Sequence, residues 1–298
     1  MSVTLLFRRI VGKYLLTDIM EKKTPEEAKR YLASVPEPEN DLQRAIAQEN
    51  ATMYQRRWWK RLLLNTGAAV TYLPYLLKLR RTRLARTDTA CDAVFFTDRI
   101  SIETIPDSVR AEFPRIECVR MAQYMSLTEE DCRFLRELRR KTPFRFYFNL
   151  KNMLKIAMIS GVLQIYDPKA IIAYWEASPT TSVATMYCQA HGVEHIGIMH
   201  GDRDFSLQLT FFRYSRYYVW DTDYRDLLLS LRCEPTQFHV ELPEAVRLPG
   251  YDAGCEKQYD YTFYLNGESE ASLRRASRVC KLLNEQGARI AVRPHPSE

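Results

Sequence analysis

From residue 91 onward, short apolar or β-rich runs alternate with longer helical stretches, and this alternation limits the chain more than any other feature. The runs are Ala93–Thr97, Ile116–Met121, Phe144–Phe148, Ala170–Trp175, His195–Met199, Tyr217–Trp220, Tyr261–Leu265 and Ala288–Val292. Between them, Lys151–Leu163, Thr181–His191, Tyr224–Leu231 and Ser269–Glu285 carry helical patterning. Near-continuous apolar strands separated by helices predict an α/β fold with a mostly parallel sheet covered on both faces. Gly192 and Gly287 stand where helices should end and strands begin, the usual place for glycine past a helix C-terminus.

Residues 1–90 read differently. They are helical and polar at first, with Thr24-Pro25-Glu26-Glu27 forming a helix start: an N-cap, a proline at the first helical position and acids in the first turn. A basic segment follows. Residues 51–90 hold nine Lys/Arg against one acid, so the net charge of +6 is concentrated there. Arg56, Arg57, Trp58, Trp59, Lys60 and Arg61 open it, sixteen uncharged residues from Leu62 to Leu77 follow, and five cations from Lys78 to Arg86 close it. A spanning helix needs about 20 apolar residues, and this run is shorter and contains Asn65, Gly67 and Pro74. Paired tryptophans and snorkelling cations suit a helix lying on an anionic membrane surface. The alternatives are a buried amphipathic helix with a solvated basic rim and, more weakly, a nucleic-acid-binding segment in which the aromatics stack bases.

The segment Leu242–Lys257, with two prolines and two glycines, is the expected domain junction. The expected organisation is a helical N-terminal region (1–90), a first α/β domain (91–250) and the start of a second domain (251–298) that is incomplete. Seven cysteines without a CxxC pair argue against a disulfide scaffold or zinc knuckle and for a reducing cytosol. The N-terminus lacks the pattern of a cleaved signal peptide.

Ligands of open α/β sheets bind beyond the carboxyl ends of the strands. Three polar turns lie there. His200-Gly201-Asp202-Arg203-Asp204 places an imidazole that titrates near neutrality beside a glycine, as a general base or phosphate donor; the plainer reading is a turn histidine bonded to local backbone. Asn266-Gly267-Glu268-Ser269 opens a helix and aims backbone N–H groups at an anion, although Asn-Gly is also ordinary turn chemistry. Arg293-Pro294-His295-Pro296 holds a guanidinium and an imidazole on a proline-stiffened exit, a spacing that suits a diphosphate; the plainer reading is a rigid loop with incidental polarity.

Other patterns are set aside. His191-Gly192-Val193-Glu194-His195 has the letters of an inverted zinc-protease motif, but that site needs a continuous helix and Gly192 interrupts it. Asp202-Arg203-Asp204 and Asp221-Thr222-Asp223 have the spacing of an Asp-x-Asp metal site, but Asp221 or Thr222 more simply caps the next helix. No metal site is expected. GxGxxG, GxxxxGK[ST] and GxSxG are absent, which removes the usual warrant for a dinucleotide enzyme, P-loop ATPase or esterase.

The succession Tyr174-Trp175-Glu176, Thr180-Thr181-Ser182-Val183, Ile196-Gly197-Ile198-Met199-His200-Gly201, Tyr218-Val219-Trp220-Asp221 and Val292-Arg293-Pro294-His295-Pro296 resembles bacterial envelope-polymer transferases of the GT-B fold. The group in question comprises CDP-glycerol glycerophosphotransferases, capsule-synthesis enzymes and polysialyltransferases. The resemblance covers roughly residues 170–298. It implies two Rossmann-type domains and transfer of a sugar or polyol phosphate from a CMP-, CDP- or UDP-linked donor, with no further cofactor, to a membrane-associated glycan at the inner face of the cytoplasmic membrane. On that resemblance His200, with Asp202, is the catalytic pair on the acceptor side of an interdomain cleft. Arg293, His295 and Ser297, with Asn266 and Gly267, form the donor side. The group's second domain continues past Pro-His-Pro where this sequence ends, and a non-catalytic membrane-associated relative is therefore the alternative.

Overall fold

The computed structural model describes residues 23–87, 89–98, 100–247, 258–265 and 270–293. The chain divides into two compact units after Arg247, close to the expected boundary.

The sheet of the first unit is wholly parallel. Strands β1 (Ala93–Phe96), β2 (Ile116–Val119), β3 (Ala170–Ala173), β4 (Glu194–Ile198), β5 (Arg216–Val219) and β6 (Phe238–Val240) lie side by side in the order β2-β1-β3-β4-β5-β6. Ala93 pairs with Ala170 and with Ile116, and Ile172 with Ile196, so the central strands are in register across the sheet.

The two-residue period of a strand explains why both faces are apolar. Ala93, Phe95, Ala170, Ile172, Ile196 and Ile198 point to one face, where Ile105, Val109 and Phe113 cover them; the last two belong to or adjoin the short helix α4 (Asp107–Glu112). Val94, Phe96, Ile171 and Ala173 point to the other, against Met153, Ile156 and Ile159 of helix α6 (Phe146–Tyr166) and Val183 and Tyr187 of α7 (Thr181–Ala190). Parallel strands covered on both sides are what the apolar runs predict.

Helices α1 (Pro25–Ser34) and α2 (Asp41–Tyr54) do not form a separate region. The expected capping box is present at Thr24 and Glu27, and the apolar faces then fill a third core cluster. Ala28, Leu32, Ala47 and Ala51 pack with Phe211, Phe212, Tyr214, Tyr217, Leu228 and Leu231. The boundary expected near residue 90 is thus corrected: a helix with one apolar stripe needs a partner surface, and the β5 side of the sheet supplies it.

Helix α3 (Trp58–Arg81) takes in the whole uncharged run. It buries Ala68, Tyr72 and Leu79 and lies against α6. No helix among the described residues is long and apolar enough to cross a membrane.

One further expectation is corrected, and two elements lie where none was expected. Phe144–Phe148 is not a strand: Phe144 is 81% exposed with a positive φ of 64°, and Phe146 begins α6. Asn149 fastens that helix start, its amide donating to the carbonyls of Thr142 and Arg145 at 3.0 Å each. Strand β6 was not expected, because a three-residue edge strand with two exposed side chains carries no apolar run. Helix α5 (Glu129–Lys141), opened by a capping box at Thr128 and Asp131, lies in a stretch assigned no element from sequence.

Gly192 and Gly287 do take the left-handed conformation, with φ of 68° and 87°. The second unit is a parallel strand–helix–strand: β7 (Tyr261–Tyr264), α9 (Glu270–Glu285) and β8 (Ile290–Arg293). The donor-side residues Asn266, Gly267, His295 and Ser297, and the loop 248–257, lie outside the described residues.

Candidate functional site

The strand order reverses between β1 and β3: the chain steps outward from β1 to β2 on one side and from β3 through β6 on the other. Such a switch point leaves room at the carboxyl ends for a ligand. Strand β3 exits into Tyr174-Trp175-Glu176 and its neighbour β4 into His200-Gly201-Asp202-Arg203. These two exits meet.

Glu176 is 1% exposed, and one of its carboxylate oxygens is bonded to the guanidinium of Arg203. Arg203 Nη2 also lies 2.8 Å from His200 Nδ1. A guanidinium only donates, so His200 Nδ1 accepts and the ring proton sits on Nε2. The neutral imidazole packs against Tyr174, ring centroids 4.5 Å apart. Burial, and then the Arg203 charge, pull its pKa down to about 4. Burial raises the Glu176 carboxyl, an effect that Arg203 opposes. Helix α2 holds the group from behind: Gln48 Nε2 donates to the carbonyls of Glu176 at 2.7 Å and Gln208 at 2.9 Å.

Asp202 is engaged elsewhere. It accepts from the Arg203 backbone N–H at 2.9 Å and from the Tyr224 hydroxyl of helix α8 (Thr222–Ser230), and the latter bond pushes that hydroxyl up to about 12. It therefore ties the β4 exit to α8, while His200 faces β3. Asp221 caps α8 through the Tyr224 N–H at 2.9 Å, the plainer role expected of it.

A second polar group lies just beneath. The Lys155 ammonium of α6 sits 3.2 Å from the centroid of the Trp175 ring, and burial holds its pKa well below the ordinary lysine value. His195 is fully buried in β4, with Nδ1 2.8 Å from Thr185 Oγ1. The Thr185 hydroxyl spends its proton on the Arg213 carbonyl at 2.7 Å, so Nδ1 of His195 is the donor. Burial, with Lys155 nearby, lowers this imidazole to about 3. His191 ends α7 and His195 lies inside β4, so the zinc-protease spelling falls on two different elements.

On the second unit Arg293 ends β8 with its guanidinium over the Tyr264 ring, 5.8 Å from the centroid. Of the residues expected at a membrane, Trp58 is 75% exposed and Arg57, Trp59 and Arg61 are also exposed. Lys60 is half-buried, its ammonium 5.7 Å from the Trp59 ring. Arg56 is a correction. It is buried, with its guanidinium 5.8 Å from the Tyr147 ring, because the turn before α3 points it inward.

Sequence reasoning found His200 from its place after a strand but gave no separate role to Glu176 or Arg203. The same rule applied at the β3 exit would have singled out Glu176; its burial had no sequence signal. Comparison of the chain with family models, curated proteins and solved structures finds no match in any of the three.

Proposed function

We propose that the chain is a GT-B-type transferase that moves a sugar or polyol phosphate from a nucleotide-activated donor to a membrane-associated glycan. The observation that carries this reading is the Glu176–Arg203–His200 group at the carboxyl ends of β3 and β4, beside the switch point of the sheet. The parallel β7–α9–β8 unit, with Arg293 at the carboxyl end of β8, adds a second candidate anion contact. In the transfer, an acceptor hydroxyl oxygen forms a bond to the transferred carbon or phosphorus as the bond from that atom to the nucleotide phosphate oxygen breaks; the phosphate leaves with the bonding electrons and takes up the hydroxyl proton. Fixed N–H donors aimed at oxygens gaining charge lower the barrier for such a step.

His200 serves here as a donor. Its Nδ1 lone pair is engaged by Arg203 and its Nε2 carries the proton, so it is suited to hold an anionic oxygen and not to take a proton. A base also needs a pKa near the working pH, and about 4 is too low. Asp202, bound to Tyr224, positions the loop. The donor nucleotide is CMP-, CDP- or UDP-linked, and the exposed apolar face of α3 supports a place at the cytoplasmic face of an anionic membrane.

A thermal-shift panel of CMP, CDP, UDP, GDP and ADP tests this, since a ligand that binds only the folded chain raises its midpoint. The expected result is a shift with a pyrimidine nucleotide that is lost in Arg293→Ala and His295→Ala. No shift with any nucleotide overturns the donor site and leaves the non-catalytic relative as the reading.

A further inference from the structure

Helix α3 has an unusual solvent side. Trp58, Leu62, Leu63, Val70, Leu73 and Leu77 are all exposed, and no charged residue interrupts the run from Leu62 to Leu77. At 1.5 Å per residue this is an uncharged strip about 24 Å long. A water-facing helix normally turns its charges outward, and a helix that is apolar all round is normally covered. The inner side of α3 is already occupied by α6, so its exposed outer side is open to a covering body.

The ends of the strip indicate which body. Arg57, Lys60 and Arg61 frame one end and Lys78, Arg80, Arg81 and Arg83 the other, with no acid anywhere between Arg57 and Arg86. A second copy of this face would bring cation against cation in either orientation. An anionic sheet of lipid complements both ends at once.

One end is also shaped. A cavity of about 530 Å³ is walled by Lys23, Arg56, Arg57 and Arg61 together with the rings of Trp58 and Trp59. Arg56, buried with its guanidinium beside the Tyr147 ring, forms part of its wall. Arg61 is steadied by a 3.1 Å bond from its Nε to the Arg56 carbonyl. Guanidinium groups fixed in this way match phosphate oxygens in a fork geometry. The tryptophans at the mouth suit the level where headgroups meet acyl chains.

We propose that this cavity is a headgroup site: it takes the phosphate of one anionic lipid while the Trp58–Leu77 face of α3 lies in the bilayer surface. The inference deepens the membrane part of the function proposed above and is independent of the nucleotide site. It differs from attraction by net charge in giving the two ends of the helix unequal weight.

Vesicle flotation with the full chain separates these cases. The vesicles are phosphatidylcholine alone, or with phosphatidic acid or phosphatidylglycerol at matched surface charge. Two double variants remove two charges each: Arg57→Gln/Arg61→Gln at the cavity and Arg81→Gln/Arg83→Gln at the far end. The expected result is preference for phosphatidic acid, and a loss of partitioning at least tenfold greater for the cavity pair than for the distal pair. Trp58→Ala, which leaves the cavity charges in place, should weaken partitioning and reduce the blue shift of tryptophan emission on binding. Equal losses for the two pairs overturn the headgroup site and leave general electrostatic attachment; no binding to any anionic vesicle overturns the membrane reading as well. Dihexanoyl phosphatidic acid and inorganic phosphate serve as soluble competitors. Competition by both at the same concentration assigns the cavity to free phosphate, and stronger competition by a short oligonucleotide assigns the surface to nucleic acid; either result overturns the lipid assignment. A matched circular-dichroism melt of each variant shows whether the fold is retained.

Discussion

A histidine whose lone pair is already engaged answers pH differently from a free one. In the folded chain His200 is held to about 4 and His195 to about 3, whereas an unfolded histidine takes up a proton near 6.5. Both folded values are depressed, so the stability they contribute is present above about pH 6.5 and is lost as pH falls toward the folded values. For fully buried His195 the slope approaches about 1.4 kcal/mol per pH unit once the unfolded imidazole is protonated. The melting temperature should therefore drop between pH 7 and pH 5, and His200→Gln should make the drop shallower by removing one of the two protons. Nitrogen-15 imidazole spectra at pH 7 should show His200 as the neutral Nε2–H tautomer; a signal titrating near 6.5 would contradict the Arg203 bond. Sequence placed His200 at the end of a strand but could not foresee this state. Burial and the Arg203 charge set it, and Arg203 is held by Glu176 from a loop 27 positions away that the pairing of β3 with β4 brings alongside.

At the scale of elements, glycines in two helices make a paired test. Gly161 lies inside α6, where an added Cβ would stand 2.6 Å from the Tyr124 carbonyl oxygen; Gly67 lies on α3 with nothing within 4 Å. Alanine is the better helix former by about 1 kcal/mol, and overpacking against a fixed backbone costs about 1–3 kcal/mol. Gly67→Ala should thus raise the denaturation midpoint by about 0.5–1 kcal/mol in stability, while Gly161→Ala should lower it. A stabilised Gly161→Ala would mean that the loop around Tyr124 yields to α6. The parallel strands were legible because burial on both faces makes them continuous apolar runs, and Thr24 and Gly192 were legible because caps are local chemistry. The Phe144–Phe148 stretch misled for the converse reason: aromatic residues favour strands, but Asn149 and the burial of Phe148 draw it into α6.

For the whole molecule, the division after Arg247 separates two unequal pieces. The first has three core clusters. The second leaves Tyr261, Tyr264, Leu282 and Val292 exposed on one strand–helix–strand unit, less than a small domain needs to bury. A chain of residues 1–247 should unfold cooperatively within a few degrees of the full protein, and a peptide of residues 248–298 should give a coil spectrum by circular dichroism. A large fall in the melting temperature of the shorter chain would show that the first unit depends on the second. The docking of α1 has a further consequence for synthesis. Arg232 donates to the carbonyls of Leu32 and Val35 across about 200 residues of chain, so α1 is made long before this partner. Strands β3 to β6 can each be laid beside a neighbour already made, but α1, beyond its contacts with α2, waits for the stretch from Phe211 to Arg232. The N-terminal helices therefore cannot complete their docking until residue 232 has emerged, and until then the nascent chain is open to chaperones, proteases and aggregation.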